Sequence, residues 1–289
     1  MKACADCVPC LMRRVLFQSR MVGDPNEFRT MHIAAKTYSD LMSPDICSAE
    51  IATAVHGKAY ESMGCDDPYR QMKIDADEVA QQYVPEAQSF IDSSDDRFAA
   101  AVRACIVGNI MDFGSGIAID SPSEFGRVFR SLLEQGIGLD QTEELRRLVE
   151  SSDTVLYAFD NCGEDVFDKL FIREIKSMGK RVVAVVRGKP ILNDVTMEDA
   201  LRVGMDREVD RIVSTGEFAV GFPRVNRDPG FNEELPKAGV MIVKGMANYE
   251  ALSDFDYGIP VAFLLRAKCI PVARSIGVEP GTNVVLVKQ

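Results

Sequence analysis

The feature that most constrains the fold is a series of short, continuous apolar runs in the second half of the chain. These runs are rich in β-branched residues and stand at 154–159, 181–186, 211–214, 240–243, 260–265 and 283–287. Continuous apolar runs are typical of strands that are buried on both faces of a sheet. Two intervening segments have helical patterns: 164–178 has an apolar face, and Thr196 with Asp199 forms a capping-box pattern. The alternation predicts right-handed βαβ units and a mostly parallel, doubly wound sheet.

The first half of the chain has a helical pattern instead. One helix is predicted to start at Ser43-Pro44 and stop at Gly64, and the next to start at Asp67-Pro68. A short apolar helix follows at 98–107 and ends at Gly108, and a further helix, capped by Ser123, runs through Leu133. No sustained β alternation interrupts this region. We therefore divide the 289 residues into a mainly helical region, 1–150, and a Rossmann-like α/β domain, 151–289.

Charge and hydropathy narrow the function classes. The chain has 44 Asp and Glu against 33 Lys and Arg, a net charge of −11, which disfavours binding to nucleic acid or to anionic membrane surfaces. No apolar stretch approaches the roughly 20 residues that span a bilayer. The eight cysteines are too dispersed for a secreted disulfide scaffold. We expect a cytoplasmic protein, and the oligomeric state is not readable from the sequence.

Polar residues follow two of the predicted strands. Asp160 and Asn161 come directly after the run at 154–159, and Asp194 follows the run at 181–186 through a short loop. Ligands of open α/β sheets bind beyond the carboxyl ends of the strands, where these residues would meet. Two carboxylates and an amide oxygen suit a hard divalent cation such as Mg²⁺ or Mn²⁺, and Co²⁺ or Ni²⁺ also occupies oxygen-rich sites. The alternative is that Asp160 and Asn161 only cap the next helix.

Two further segments offer groups for a small anion. Lys244 follows the run at 240–243 in a glycine-flanked loop, where it can hold a phosphate oxygen or remain a solvated surface lysine. Asn109 and Asp112 lie in the glycine-rich segment 108–116, which can form a ligand-binding bend or an ordinary helix end and turn. This segment lacks the patterns of a P-loop and of a dinucleotide-binding loop. Nucleotide binding therefore has little support.

Three cysteines, Cys4, Cys7 and Cys10, repeat at a spacing of three residues. This spacing places thiols near one another on a turn or helix face, where they can share a metal ion or form a redox pair. A tetrahedral zinc site would need a fourth ligand, from one of the two histidines or from a distant cysteine such as Cys65. The alternative is a set of buried, inert thiols. We place this cluster away from the predicted strand-end site.

These motifs resemble, in this order, those of the DUF89 family of metal-dependent phosphatases, also called damage-control phosphatases. The matching segments are CADCVPCLMR at 4–13, GNIMDFG at 108–114, FDNCGED at 159–165, KPILNDVTMEDA at 189–200 and KGMANYE at 244–250. Each segment is short, but five in register span nearly the whole chain. The N-terminal CxxC motif indicates the microbial subgroup, subfamily I.

The resemblance implies a helical N-terminal domain over an αβα sandwich. It also implies hydrolysis of small phosphate monoesters, such as sugar phosphates or damaged phosphometabolites. The family's metal pair falls on Asp160 and Asn161, and its third metal ligand falls on Asp194. The positions that line the family's phosphate pocket fall on Asn109, Asp112 and Lys244.

Two catalytic schemes stay open for such a site. A metal-polarised water, oriented by Asp112 or Asp194, attacks phosphorus in line, or a carboxylate attacks and forms an aspartyl-phosphate. The main alternative function is a non-catalytic module that binds a nucleotide or sugar phosphate, with the cysteines sensing redox state or metal. A methyltransferase is less favoured, because Asp160-Asn161 stands where its glycine loop is expected after the first strand.

Overall fold

The computed structural model describes residues 1–112, 121–224 and 228–289. The strands are β1 (Leu139–Asp140), β2 (Thr154–Ala158), β3 (Arg181–Val186), β4 (Arg211–Ser214), β5 (Val240–Lys244), β6 (Val261–Ala267) and β7 (Thr282–Lys288). The helices are α1 (Cys7–Met21), α2 (Glu27–Leu41), α3 (Ser48–Met63), α4 (Arg70–Asp92), α5 (Arg97–Val107), α6 (Phe125–Glu134), α7 (Thr142–Ser151), α8 (Glu164–Ser177), α9 (Met197–Arg202), α10 (Pro229–Glu234), α11 (Gly245–Leu252) and α12 (Ile270–Ile276).

The strands form one sheet in the order β1-β7-β6-β5-β2-β3-β4. The pairs from β6 through β5, β2 and β3 to β4 are parallel, whereas β7 runs antiparallel to β6 and β1 runs parallel to β7. The predicted α/β class and mostly parallel sheet are therefore confirmed. All six predicted strands are present. The two-residue strand β1 was not predicted, because it is too short to produce a periodic pattern.

Each face of the sheet is covered by helices, so the molecule has αβα layers. Val155 and Tyr157 of β2 face a hydrophobic cluster that includes residues of α5 and α8. Leu156 and Ala158 of the same strand face a second cluster, to which α10, α11 and α12 contribute. Burial on both faces is the physical reason for the continuous apolar runs in the sequence.

Several helix boundaries differ from the prediction. Helix α3 ends at Gly64, with φ of 64°, as predicted, but it begins at Ser48 and not at Ser43-Pro44. Cys47 has extended backbone and forms an antiparallel bridge with Lys2, so the helix cannot start earlier. The start predicted at Asp67 is also early, because α4 begins at Arg70.

Other predicted boundaries agree with the structure more closely. The capping box at Thr196 is confirmed, since its hydroxyl accepts from Asp199 N and the Asp199 carboxylate accepts from Thr196 N at 3.0 Å. Helix α5 ends at Val107, and Gly108 continues as a 3₁₀ turn. The predicted cap at Ser123 is wrong. This serine lies inside a 3₁₀ turn that precedes α6.

The two predicted regions pack against one another directly. One hydrophobic cluster extends from Leu11 in α1 to Val285 in β7, and α5 lies against both α8 and β6. Strand β1 also belongs to the first region, although it pairs with β7. The division at residue 150 thus describes a change in sequence pattern, and as a domain boundary it stays a prediction. Across the described ranges, none of the helices has the length and apolar character needed to cross a bilayer.

Candidate active site

The structure brings Asp160, Asn161 and Asp194 together beyond the carboxyl ends of β2 and β3. Asn161 and Asp194 pair in an isolated antiparallel bridge, and Val195 N donates to the backbone oxygen of Asp160 at 2.8 Å. The Asn161 side-chain amide donates to Asp160 Oδ2 at 2.8 Å. All three side chains are buried. The predicted meeting of the strand-end residues is therefore present in the fold, and their metal-binding role stays a prediction.

Glycine makes room for the Asp160 carboxylate. Gly245, the first residue of α11, has φ of +75°, and a Cβ placed there would lie 1.7 Å from Asp160 Oδ2. Gly163, directly after Cys162, has φ of +84°. Left-handed backbone of this kind is disfavoured for every residue with a side chain except in local turns. Gly245 thus permits the close approach of the KGMANYE segment to Asp160, while Gly163 packs closely against Met111.

The donor set fits a divalent cation. Asp160 Oδ1 is buried and has no hydrogen-bond partner among the described residues. Burial raises the pKa of Asp160 well above its usual value, and the nearby negative charges of Asp194 and Glu164 add to this effect. Arg187 Nε donates to Asp194 Oδ2 at 2.6 Å and offsets only part of the negative charge. Asp160 Oδ1 has an ion pair with Arg187 Nη2 at 3.6 Å but no hydrogen bond, so a hard cation between the carboxylates and the Asn161 amide oxygen would give this oxygen a close partner and reduce the repulsion.

These residues line a cavity of about 430 Å³. Asp160, Asn161, Asp194 and Asp112 line it, together with residues of α1 and of the segment that follows β6. Arg14 comes from α1, and Lys268 directly follows β6. The cavity therefore combines the predicted cation ligands with cationic side chains that were not predicted as site residues, among them Arg14 and Lys268.

Arg14 and Lys268 both bind Asp112. Arg14 donates to Asp112 Oδ1 at 2.5 Å, and Lys268 Nζ lies 2.9 Å from Asp112 Oδ2. Burial alone would raise the pKa of Asp112, but the charges of Arg14 and Lys268 outweigh it and lower the pKa to about 2. Lys268 also donates to the backbone oxygen of Asn109 at 2.7 Å. Asp112 is thus ionised at neutral pH and holds two cations at the cavity wall.

Lys244 occupies a different place from the one predicted. It is the last residue of β5 rather than a loop residue, and it is fully buried. Its Nζ donates to Glu164 Oε1 at 2.7 Å, to Asp168 Oδ1 at 2.6 Å and to the backbone oxygen of Cys105 at 3.0 Å. Lys244 is absent from the described residues that line the cavity. The solvated-lysine alternative is therefore wrong, and the phosphate-binding role of Lys244 stays a prediction.

Asn109 is also engaged inside the protein. Its Nδ2 donates to Asp160 Oδ2 at 3.2 Å and to Glu164 Oε2 at 3.0 Å, and its Oδ1 accepts from Arg266 N at 3.2 Å. Asn109 is not among the described residues that line the cavity. It supports Asp160, which does line the cavity, from inside the protein. Residues 113–120, which hold the rest of the predicted glycine-rich bend, lie outside the described residues.

The N-terminal cysteines lie closer to the site than we expected. Cys7 and Cys10, in the first turn of α1, line the same cavity as Asp160 and Asp194, so the prediction of a distant cluster is wrong. Cys4 Sγ and Cys7 Sγ are 3.9 Å apart. Burial raises the pKa of the Cys7 thiol to about 12. Metal or redox use of these thiols stays a prediction.

The described residues contain no group of three or more His, Cys, Asp or Glu side chains arranged to hold a metal ion. The predicted donor set contains only two carboxylates, those of Asp160 and Asp194, beside the Asn161 amide oxygen, and its role as a cation site stays a prediction.

Comparison with known proteins identifies the family of the chain. A domain described as the damage-control phosphatase ARMT1-like domain matches residues 3–284. A damage-control phosphatase of Archaeoglobus fulgidus is 38% identical over 295 residues, with 100% of both chains covered. A damage-control phosphatase of Pyrococcus horikoshii is 30% identical, with 98% of this chain and 97% of that protein covered. The crystal structure of a DUF89 family protein of Pyrococcus horikoshii matches with a TM-score of 0.87 at 29% identity and covers 100% of both chains. This chain therefore belongs to the damage-control phosphatase family of ARMT1-like, or DUF89, proteins.

Proposed function

We propose that this phosphatase is metal-dependent and hydrolyses small phosphate monoesters. The observation that supports the proposal best is the meeting of Asp160, Asn161 and Asp194 in the lining of a cavity whose wall also presents Arg14 and Lys268. Oxygen ligands select a hard cation, and cationic side chains next to them select an anionic group. A phosphate monoester bound to a divalent cation satisfies both.

Asp160, Asn161 and Asp194 would hold Mg²⁺, Mn²⁺, Co²⁺ or Ni²⁺. When bound, the cation would supply positive charge to a phosphoryl oxygen and lower the barrier to attack at phosphorus. Arg187 keeps the Asp194 carboxylate in place through its Nε donor at 2.6 Å. Asn109 does the same for Asp160, to which it donates at 3.2 Å.

Arg14 and Lys268 take the phosphate-binding role that the sequence analysis gave to Lys244. Both cations line the cavity, whereas Lys244 is enclosed by acidic partners. Asp112, bound to both cations, is a weak base with its pKa near 2. We therefore assign Asp112 to positioning Arg14 and Lys268, and we assign to Asp194 the orientation of the attacking water.

The remaining cavity wall suits the organic part of a small metabolite. Leu11, Val220, Ile270 and Pro271 are apolar residues that line it. A volume of about 430 Å³ lies within the usual range for small-molecule pockets. A small phosphorylated metabolite can therefore place its phosphate beside the polar residues and its carbon skeleton against this wall.

The test is phosphate release from an aryl phosphate, after chelation and after addition of each divalent cation in turn. We expect activity only with added cation, and we expect Asp160→Ala and Asp194→Ala to abolish it. Asp206→Ala, at an exposed aspartate outside the cavity, is the matched control and should retain wild-type activity. Wild-type activity in chelator or in Asp160→Ala would refute the assignment. Ligand binding without turnover under every cation would favour the non-catalytic alternative.

A further inference from the structure

Glu164, the first residue of α8, is fully buried between the candidate cation site and Lys244. Its Oε2 accepts from Asn161 Nδ2 at 3.3 Å, from Asn161 N at 3.4 Å and from Asn109 Nδ2 at 3.0 Å. Its Oε1 accepts from Lys244 Nζ at 2.7 Å. One carboxylate therefore joins two amides of the site to a buried ammonium.

These contacts fix which end of the Asn161 amide faces the cation. The amide nitrogen faces Asp160 Oδ2 at 2.8 Å and Glu164 Oε2 at 3.3 Å. Because Asn161 Nδ2 donates to an oxygen of each carboxylate, the NH₂ group lies on this side and the amide oxygen on the other. Only the oxygen can bind a hard cation.

We infer that Glu164 is a positioning residue, which presents the Asn161 amide oxygen to the cation; the inference rests on the proposed function of that site. Lys244 acts on Glu164 in turn. The salt bridge at 2.7 Å fixes the position of the Glu164 carboxylate, and Asp168 Oδ1 and the Cys105 backbone oxygen hold the ammonium from its other sides. Burial of an ion pair is acceptable when its remaining donors are satisfied in this way.

The close packing of Gly108 keeps Glu164 in register with the site. A Cβ at Gly108 would lie 2.7 Å from the Glu164 Cα, so the 3₁₀ turn after α5 rests directly on the start of α8. Asn109, the next residue, then reaches both Asp160 and Glu164. The motif GNIMDFG therefore supports the cation site through Glu164.

The experiment compares three variants at two positions of one helix. Glu164→Met keeps a similar side-chain length without a carboxylate acceptor, and Lys244 retains Asp168 as a partner. Glu164→Gln keeps one acceptor oxygen and carries the comparison if the methionine variant does not fold. Asp168→Asn is the matched control, because Asp168 contacts Lys244 as Glu164 does, while Tyr157 and not Asn161 is its other neighbour. The Kd of Mn²⁺ is measured by calorimetry on chelated full-length protein, together with the Tm without metal.

Loss of a residue that orients a metal ligand typically weakens metal affinity by about 10- to 100-fold. We expect a loss of this size for Glu164→Met, a smaller loss for Glu164→Gln, and a Kd close to wild type for Asp168→Asn. A purely structural role would instead lower the Tm of the variants at both positions and leave Kd unchanged. Wild-type Kd in both Glu164 variants, with binding abolished in Asp160→Ala, would overturn the positioning role alone. Absence of Mn²⁺ binding to the wild type would overturn the proposed cation site and the positioning role together.

Discussion

A methyl group on Gly245 would occupy space that the Asp160 carboxylate already fills. The added Cβ would lie 1.7 Å from Asp160 Oδ2, while ordinary contact begins near 3.4 Å, so the two atoms must separate by the difference of about 1.7 Å. A displacement of about 1 Å in an active site can lower the rate about 10²-fold. The φ of +75° adds a backbone cost of about 1–2 kcal/mol for any residue with a Cβ. We therefore expect Gly245→Ala to lose at least 10²-fold in metal-dependent phosphate release and to bind Mn²⁺ more weakly.

Gly179→Ala separates the two effects. Gly179 has φ of +77°, and a Cβ there would meet nothing within 4 Å. The free energy of unfolding of Gly179→Ala in urea should therefore be lower than that of wild type by about 1–2 kcal/mol, and the variant should keep full activity. If Gly245→Ala has the same activity and the same Kd as Gly179→Ala, the argument that Gly245 makes room for Asp160 is wrong.

Three other changes test the cavity and the fold. Lys268→Met should lower kcat/KM for an aryl phosphate by about 10²–10³-fold, measured by steady-state kinetics, because it removes a cation that lines the cavity. Tyr60→Phe should destabilise the protein by about 1–3 kcal/mol in urea unfolding, because the buried Leu192 N–H, which donates to the Tyr60 hydroxyl at 3.0 Å, loses its acceptor. Hydrogen bonds from Arg181 lower the pKa of Glu234 from 4.5 to about 2, so its stabilisation is present above pH 4.5 and is lost as the pH falls towards 2. Glu234→Gln should therefore be less stable than wild type by about 1–2 kcal/mol at pH 7, and urea unfolding at pH 3 should show most of that difference gone.

The sheet was predictable because each of its central strands has its own local signal. The strands that contain Val155 and Val182 are apolar at every position after the first, since helices cover both faces of β2 and β3. Helix starts were less predictable. The start of α3 depends on the bridge between Cys47 and Lys2, a contact between residues 45 positions apart for which local patterns give no sign.

The same contrast applies to the site. Asp160 and Asp194 were identifiable because strand ends of a parallel sheet meet at one edge. Arg14 gave no signal, because it reaches Asp112 only through the packing of α1 across 98 positions of the chain. Lys244 was misplaced for a local reason. Strand β5 extends one residue beyond the predicted run, and Lys244 pairs in register with Leu264 instead of entering a loop.

The charged side chains of the described site form two groups, one with an excess of negative charge and one with an excess of positive charge. The buried group contains two cationic side chains, Arg187 and Lys244, and four carboxylates, those of Asp160, Glu164, Asp168 and Asp194. When all six are ionised, the group has two negative charges in excess. The second group is the triad of Asp112 with Arg14 and Lys268, three of the charged residues that line the cavity, and this triad has one positive charge in excess. Buried charge is costly unless it is balanced. A divalent cation would balance the excess of the first group and the second group would attract the anionic phosphate, so each ligand of the proposed reaction is opposite in charge to the group that would bind it.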